Sequence, residues 1–205
     1  ADFNDAIANL HQRSAGLVII GLETIPVEEL RLPQRLPLIV NDSRRLSLPT
    51  IGFDQSGGGV VATEHLLGLG HQTVHHVRGP SGSMQAQLRE AGWRSALEAT
   101  GRQVPEVWIG DWTPASGYRA GLEAVADPTV SAVFVANDEM AAGFCRAIHE
   151  AGLRIPQDIS VVGFDDLIAE YIFPPLTSVH QDFSLLGEEL VNALVSYINT
   201  PGGSD

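Results

Sequence analysis

The sequence predicts an α/β fold built on parallel sheet, and three observations carry the prediction. Short β-rich apolar runs alternate with helical patterns almost from end to end of the 205 residues. Several runs are apolar on consecutive positions, as in VFV and VVGF, which fits strands covered on both faces. The helical stretches between them carry readable start and stop signals.

In chain order, the candidate strands are residues 16–21, 38–41, 73–77, 107–109, 132–136 and 159–164. The chain opens in a helical pattern over Asp5 to Gln12. A helix is expected from Ser56 to Leu69, where Gly70 stops it, and another from Gln85 to Thr100, where Gly101 does. The next starts at Asn137, whose side-chain oxygen can cap the first turn, while Asp138 and Glu139 sit where the helix dipole favours anions. Met140, Phe144 and Ile148 share one face of it, and Gly152 and Pro156 mark its end. The last helix, Ser184 to Asn199, is apolar at Leu186, Leu190, Leu194 and Ile198.

Composition narrows the function classes. The chain is 44% apolar and 18% charged, enough for one or two ordinary soluble domains. Its 12 basic residues, all arginine, face 25 acidic ones for a net charge of −13, which argues against this segment gripping a phosphate backbone by itself. No apolar run approaches the roughly 18 residues of a membrane span, so no membrane partner is expected. Cys145 is a lone cysteine and cannot form an internal disulfide, and the opening ADFNDAIANLHQ is unlike a signal peptide. A cytoplasmic location follows as the expectation.

Ligands of open α/β sheets bind beyond the carboxyl ends of the strands, so the residues there are the candidates. Asn41 and Asp42 follow one strand, Asp111 and Trp112 another, Asn137 and Asp138 a third, Asp165 and Asp166 a fourth. Arg89 lies early in the helix after the strand ending near Val77. Carboxylates, amides, a guanidinium and an indole at one edge suit a polyhydroxylated ligand: hydroxyls need donors and acceptors, and a sugar's apolar face packs on an aromatic plane. Singly, each Asn or Asp is also what strand ends use for caps and turns.

Catalytic patterns do not assemble, so an enzyme is not expected. GPSGS at Gly79 to Ser83 lacks the final glycine of a nucleophile elbow. QSGGG at Gln55 to Gly59 has no GK[ST] after it, and reads as glycines opening a helix closely packed on the sheet. His71, His75 and His76 cluster, but neighbours on a strand point to opposite faces, which disfavours a shared metal. Cys145 reads as a buried, inert thiol. No catalytic residue, metal ligand or cofactor is assigned.

Six ordered stretches carry a family resemblance: EHLLGLGHQTV (64–74), GP followed by LREAGWRSAL (88–97), GDW with SGY (110–118), VFVANDEMAAG (133–143), IPQDISVVGFDD (155–166) and PPLTSVHQDFSLLG (174–187). In order and spacing they resemble the lactose/galactose repressor (LacI/GalR) family of bacterial transcription regulators over about Pro37 to Gly187. GDW, VANDEMA and the PPLT–QDF run resemble its lactose-repressor branch.

The resemblance implies two similar doubly wound parallel-sheet subdomains of the periplasmic-binding-protein type, type I, with an effector cleft between them. The first would hold residues 1–53 plus 183–199, incomplete, and the second residues 54–182, with hinges near Phe53–Asp54 and Gln181–Phe183. It implies effector contacts at Asp42, Phe53, Arg89, Trp112, Asn137, Asp165 and Gln181. Arg89 would be the main anchor for ring hydroxyls or a carboxylate, its loss costing the unliganded fold little, and Trp112 would stack on the sugar. Gln85 replaces a small serine of the lactose repressor's pocket, a departure that bears on which sugar binds. The resemblance further implies a homodimer, a sugar-like effector, and operator DNA bound allosterically through a helix-turn-helix headpiece outside these residues. A periplasmic-type solute-binding protein of a transporter is the alternative reading.

Overall fold

The computed structural model describes residues 3–11, 13–21, 29, 31–32, 36–42 and 48–200. The chain divides into two units, residues 1–53 with 182–205, and residues 54–181.

The second unit carries a five-stranded, all-parallel sheet. Its strands are β3 (His75–Arg78), β4 (Trp108–Ile109), β5 (Ala132–Val135), β6 (Ser160–Asp165) and β7 (Thr177–His180), in the order β4-β3-β5-β6-β7. The helices are α2 (Gln55–Gly68), α3 (Met84–Ala99), α4 (Pro114–Ala126) and α5 (Asp138–Glu150). The order reverses between β3 and β5, where the connections leave to opposite sides and open a crevice at the strands' carboxyl ends.

Alternation along each strand feeds two cores. Val77, Val133, Val135 and Val161 meet α4 and α5 through Ala120, Met140, Phe144 and Ile148. Val74, Phe134, Val162 and Phe164 meet α2 and α3 through Ala62, Leu66, Trp93 and Leu97. Burial of Met140, Phe144 and Ile148 is complete, as the one-faced apolar pattern of α5 requires. Glycines let the helix pairs approach closely. A Cβ on Gly117 would overlap the Met140 carbonyl, one on Gly143 the Pro114 carbonyl, and one on Gly92 the Ser56 carbonyl.

The first unit pairs β1 (Leu17–Ile20) with β2 (Leu38–Asn41) in parallel, with α1 (Phe3–His11) and α6 (Phe183–Asn199). Ile7, Ile19, Leu38 and Val40 form its core. Of the apolar positions on α6, Leu190 is buried, whereas Ile198 is 40% exposed.

Strand limits fall within two residues of the expected ones. Helix α4 and strand β7 are additional elements. Two further corrections concern helix starts: α2 begins at Gln55, capped by Asp54 Oδ1 on Gly57 N (2.8 Å), and α3 begins at Met84 after the Ser83 cap.

Candidate ligand-binding site

Arg89 organises the carboxyl edge of the second unit's sheet. It projects from the second turn of α3 and is 3% exposed. Its Nε donates to Gln55 Oε1 (2.7 Å), its Nη1 to the Ala136 carbonyl at the end of β5, and its Nη2 pairs with Asp165 Oδ1 at 3.1 Å. The guanidinium lies over the Phe164 ring, 3.8 Å from its centroid, and 5.7 Å from that of Trp112. One residue thus ties together the start of α2 and the ends of β5 and β6.

Two loops frame it, and both are backbone-strained. Trp112 (φ 69°), Asp165 (φ 96°) and Asp166 (φ 58°) adopt the left-handed region without being glycine. Such conformations cost about 1–2 kcal/mol each and persist where the surroundings over-determine them. For Trp112 the constraint is Gly79, whose hydrogen faces the indole so closely that a Cβ there would overlap the ring. Asn137 Nδ2 donates to the Trp112 carbonyl (3.3 Å) and to Glu139 Oε2 (2.7 Å), while its Oδ1 caps Met140 N at 3.0 Å.

The turn after β6 is held by Asp138. Its carboxylate, wholly buried, accepts from Leu167 N (2.9 Å), Ile168 N (3.3 Å) and Ser178 Oγ (2.7 Å). Gly163 leaves the room, since a Cβ there would lie 2.6 Å from Asp138 Oδ1. Asp166 accepts from His180 Nδ1 at 2.9 Å, and Gln181 N donates to the Asp165 carbonyl at 3.4 Å. Burial pushes the Asp165 carboxyl above its ordinary value; Arg89 opposes that, and the nearby Asp138 and Glu139 charges add to it.

Residues 63–204 match the family described as periplasmic binding protein-like domain. The chain belongs to that family, in its LacI-type branch. It is 40% identical over 191 residues to the lactose operon repressor of Escherichia coli K12, covering 91% of this chain and 53% of that protein. The ribose operon repressor of the same strain is 36% identical over 148 residues, 70% of this chain and 45% of the relative. The chain spans about half the length of these curated relatives.

Among solved structures, a lac repressor dimer bound to operator and an anti-inducer superposes with a TM-score of 0.82 at 36% identity, covering 95% of this chain and 70% of that one. A CelR–cellobiose complex gives 0.78 at 31%, covering 95% and 62%. The α/β architecture with parallel sheets is that of LacI-type cores.

Five residues singled out in the sequence lie in this second unit. Arg89, Asp165, Trp112 and Asn137 are joined by direct contacts, and Gln181 abuts Asp165 through the backbone. Asp42 and Phe53 belong to the other unit: Asp42 is buried just after β2, and Phe53 meets Phe183 edge-on at 5.3 Å. Arg89, expected as the main anchor, is buried and bonds Gln55, the Ala136 carbonyl and Asp165.

Two contributors carry weak sequence signals. Gln55 reads only as part of a glycine-rich helix start. First-turn position predicts only a helix-dipole role for Asp138, whereas its carboxylate also holds the turn after β6. The glycine reading of QSGGG matches the structure: a Cβ on Gly58 would lie 2.6 Å from the Phe164 ring, and one on Gly59 would overlap the Arg89 carbonyl. Across β3, His76 stacks on Phe134 (4.6 Å) and Trp93 (5.3 Å), whereas His75 stacks on Trp108 (5.3 Å) on the other face. Both His71 ring nitrogens meet serine hydroxyls, Ser131 and Ser160, at 3.0 Å. Among the described residues no helix is long and apolar enough to cross a membrane.

Proposed function

We propose that this chain is the effector-binding and dimerisation core of a LacI-type transcriptional repressor, a cytoplasmic binding protein and not an enzyme. The supporting observation is the Arg89–Asp165–Asn137–Trp112 cluster at the point where the strand order reverses. An indole beside carboxylates, amides and a guanidinium offers a sugar one stacking face and a ring of hydroxyl partners. In this reading Trp112, Asn137, Asp165 and Gln181 contact the effector, Arg89 holds the frame, and Asp42 and Phe53 contribute from the other unit.

Ligand binding would couple to operator affinity through a DNA-binding headpiece outside these residues, by an amount set by the ligand's differential affinity for the two states. The names of the relatives favour a regulator over a transport protein. A homodimer is part of the proposal. Tyr171 and Phe173, 80% and 78% exposed, form an apolar surface with α5 of the kind a partner covers.

Calorimetric titration with lactose, cellobiose and ribose tests the binding reading. At least one should bind saturably, and Trp112→Ala should weaken that binding at least tenfold. No heat with any sugar would overturn it.

A further inference from the structure

We infer that the ligand of this site is electrically neutral or cationic, and that the site rejects sugar phosphates and sugar acids. The inference rests on the sugar-binding reading above and deepens it from the charges at the sheet's carboxyl edge.

The chain has no lysine, so every fixed cation is an arginine. Arg89 is the guanidinium at the centre of the site, and its charge is matched by Asp165 at 3.1 Å. Its Nε and Nη1 are already engaged by Gln55 and the Ala136 carbonyl. The other described arginines at this edge, Arg78, Arg94 and Arg119, are paired as well. Arg78 meets Glu90 at 3.0 Å, Arg94 meets the same carboxylate at 3.0 Å, and Arg119 meets Asp111 at 3.4 Å.

The carboxylates outnumber these partners. Asp138 sits behind the turn that carries Asp165, and Glu139 lies one residue further along α5. Asp166 faces His180, and Asp54 caps the helix that supplies Gln55. Burial is the main reason the Asp165 carboxyl is raised and Arg89 opposes it, but the Asp138 and Glu139 charges both add to the shift, so their negative field reaches the site. Three helix N-termini also point to this edge, and a helix N-terminus ordinarily welcomes an anion. Here each is already capped by a side chain, Ser83 on Ala86 N, Thr113 on Ser116 N and Asn137 on Met140 N, and α5 holds two acids in its first turn. An added phosphate would meet like charge in a partly desolvated setting, with no unpaired arginine among the described residues at this edge to compensate it.

The test uses the intact chain and matched ligand pairs: galactose with galactose 6-phosphate, glucose with glucose 6-phosphate and with glucuronate, and glucosamine as the cationic member. Calorimetry gives each Kd. The expected result is that a neutral sugar or glucosamine binds and its anionic counterpart binds at least about tenfold more weakly, the least that an uncompensated like charge commands at this range. Asp165→Asn should narrow that gap, because it removes the counter-ion while keeping the shape. An anion that binds the wild-type chain as tightly as its neutral parent would overturn the inference and leave the sugar-binding reading standing. Failure of every sugar, charged or neutral, would overturn that reading and this inference with it. If Asp165→Asn does not fold, the wild-type series decides alone.

Discussion

Arg89 Nη2 and Asp165 Oδ1 meet at 3.1 Å across 76 residues of sequence, with the arginine side chain 3% exposed and the aspartate 16%. Removing one partner of such a pair strands the other charge in a low-dielectric setting, which typically costs about 3–5 kcal/mol. Arg89→Leu is expected to lower stability by about that amount, read as a denaturant midpoint shift at unchanged slope. The double variant Arg89→Leu/Asp165→Asn should lose less than the two single losses combined, because no charge is stranded. Additive losses would show that the pair is not coupled.

Gly79 and Trp112 make the second constraint testable. A Cβ at position 79 would overlap the indole, which is itself held at φ 69°. Gly79→Ala should displace the ring, at a cost of about 1–3 kcal/mol from overpacking. Trp93 is fully buried in the opposite core, so in a Trp108→Phe background a red shift in tryptophan emission together with weakened sugar binding would report Trp112 moving. Unaltered emission and affinity would show that the loop absorbs the methyl group.

Much of this was legible from residue type and spacing, and the gaps have physical causes. Helix α5 announced itself through a cap, two acids and three large apolar residues at helical spacing, all three fully buried. Helix α4 did not, because its buried positions are Ser116, Gly117, Ala120, Gly121 and Ala124: close helix packing replaces apolar bulk, and periodicity in small residues is faint. Strand β7, TSVH, is a half-exposed edge strand with polar residues and no alternation of strong hydrophobes. At the site, strand-end rules located Trp112, Asn137 and Asp165. The partners of Arg89 were hidden because one is a backbone carbonyl and another, Gln55, lies in a segment whose glycines drew attention first.

Asp138 is expected to act on the site through the turn it holds. Its carboxylate accepts two backbone N–H groups and the Ser178 hydroxyl, and that turn places Asp165 and Asp166 in the left-handed region. Asp138→Ala leaves those donors unsatisfied and should cost about 2–3 kcal/mol. Ser178→Ala removes a single hydroxyl and should cost about 1 kcal/mol. If the turn positions Asp165, both variants weaken sugar binding in the same rank order. Unchanged Kd in Asp138→Ala would confine the residue to a stability role.

Cys145 is predicted to be chemically silent in the folded protein. It is 1% exposed inside the α4–α5 core, and burial pushes its thiol up to about 12. The thiolate is the reactive form, so labelling by a disulfide reagent at neutral pH should proceed only through opening of the second unit. The rate should then rise with denaturant in step with unfolding. Rapid stoichiometric labelling under native conditions would contradict this burial.

His76 sets an acid limit on stability. It is completely buried between Trp93 and Phe134, its Nδ1–H donates to the Phe134 carbonyl (2.9 Å), and Nε2 has no hydrogen-bond partner. Desolvation, aided by Arg78, Arg89 and Arg94 and opposed by the Phe134 hydrogen bond, depresses its pKa from 6.5 to about 3. Below 6.5 the unfolded chain takes up a proton that the folded chain refuses, so stability is full above that value and falls with pH down to about 3. The slope from this one group is about 1.4 kcal/mol per pH unit. Asp165 acts in the opposite sense, since its raised carboxyl lets the folded chain hold a proton that the unfolded chain releases above 3.8. That contribution stabilises the fold on the acid side and is lost as pH rises through the folded value, so it offsets part of the His76 loss as pH falls from that value to 3.8. His76→Phe removes the titrating group while keeping an aromatic ring between Trp93 and Phe134. Urea midpoints measured from pH 7.5 to 4.5 should fall more steeply for the wild type than for the variant, and parallel profiles would remove His76 as the cause.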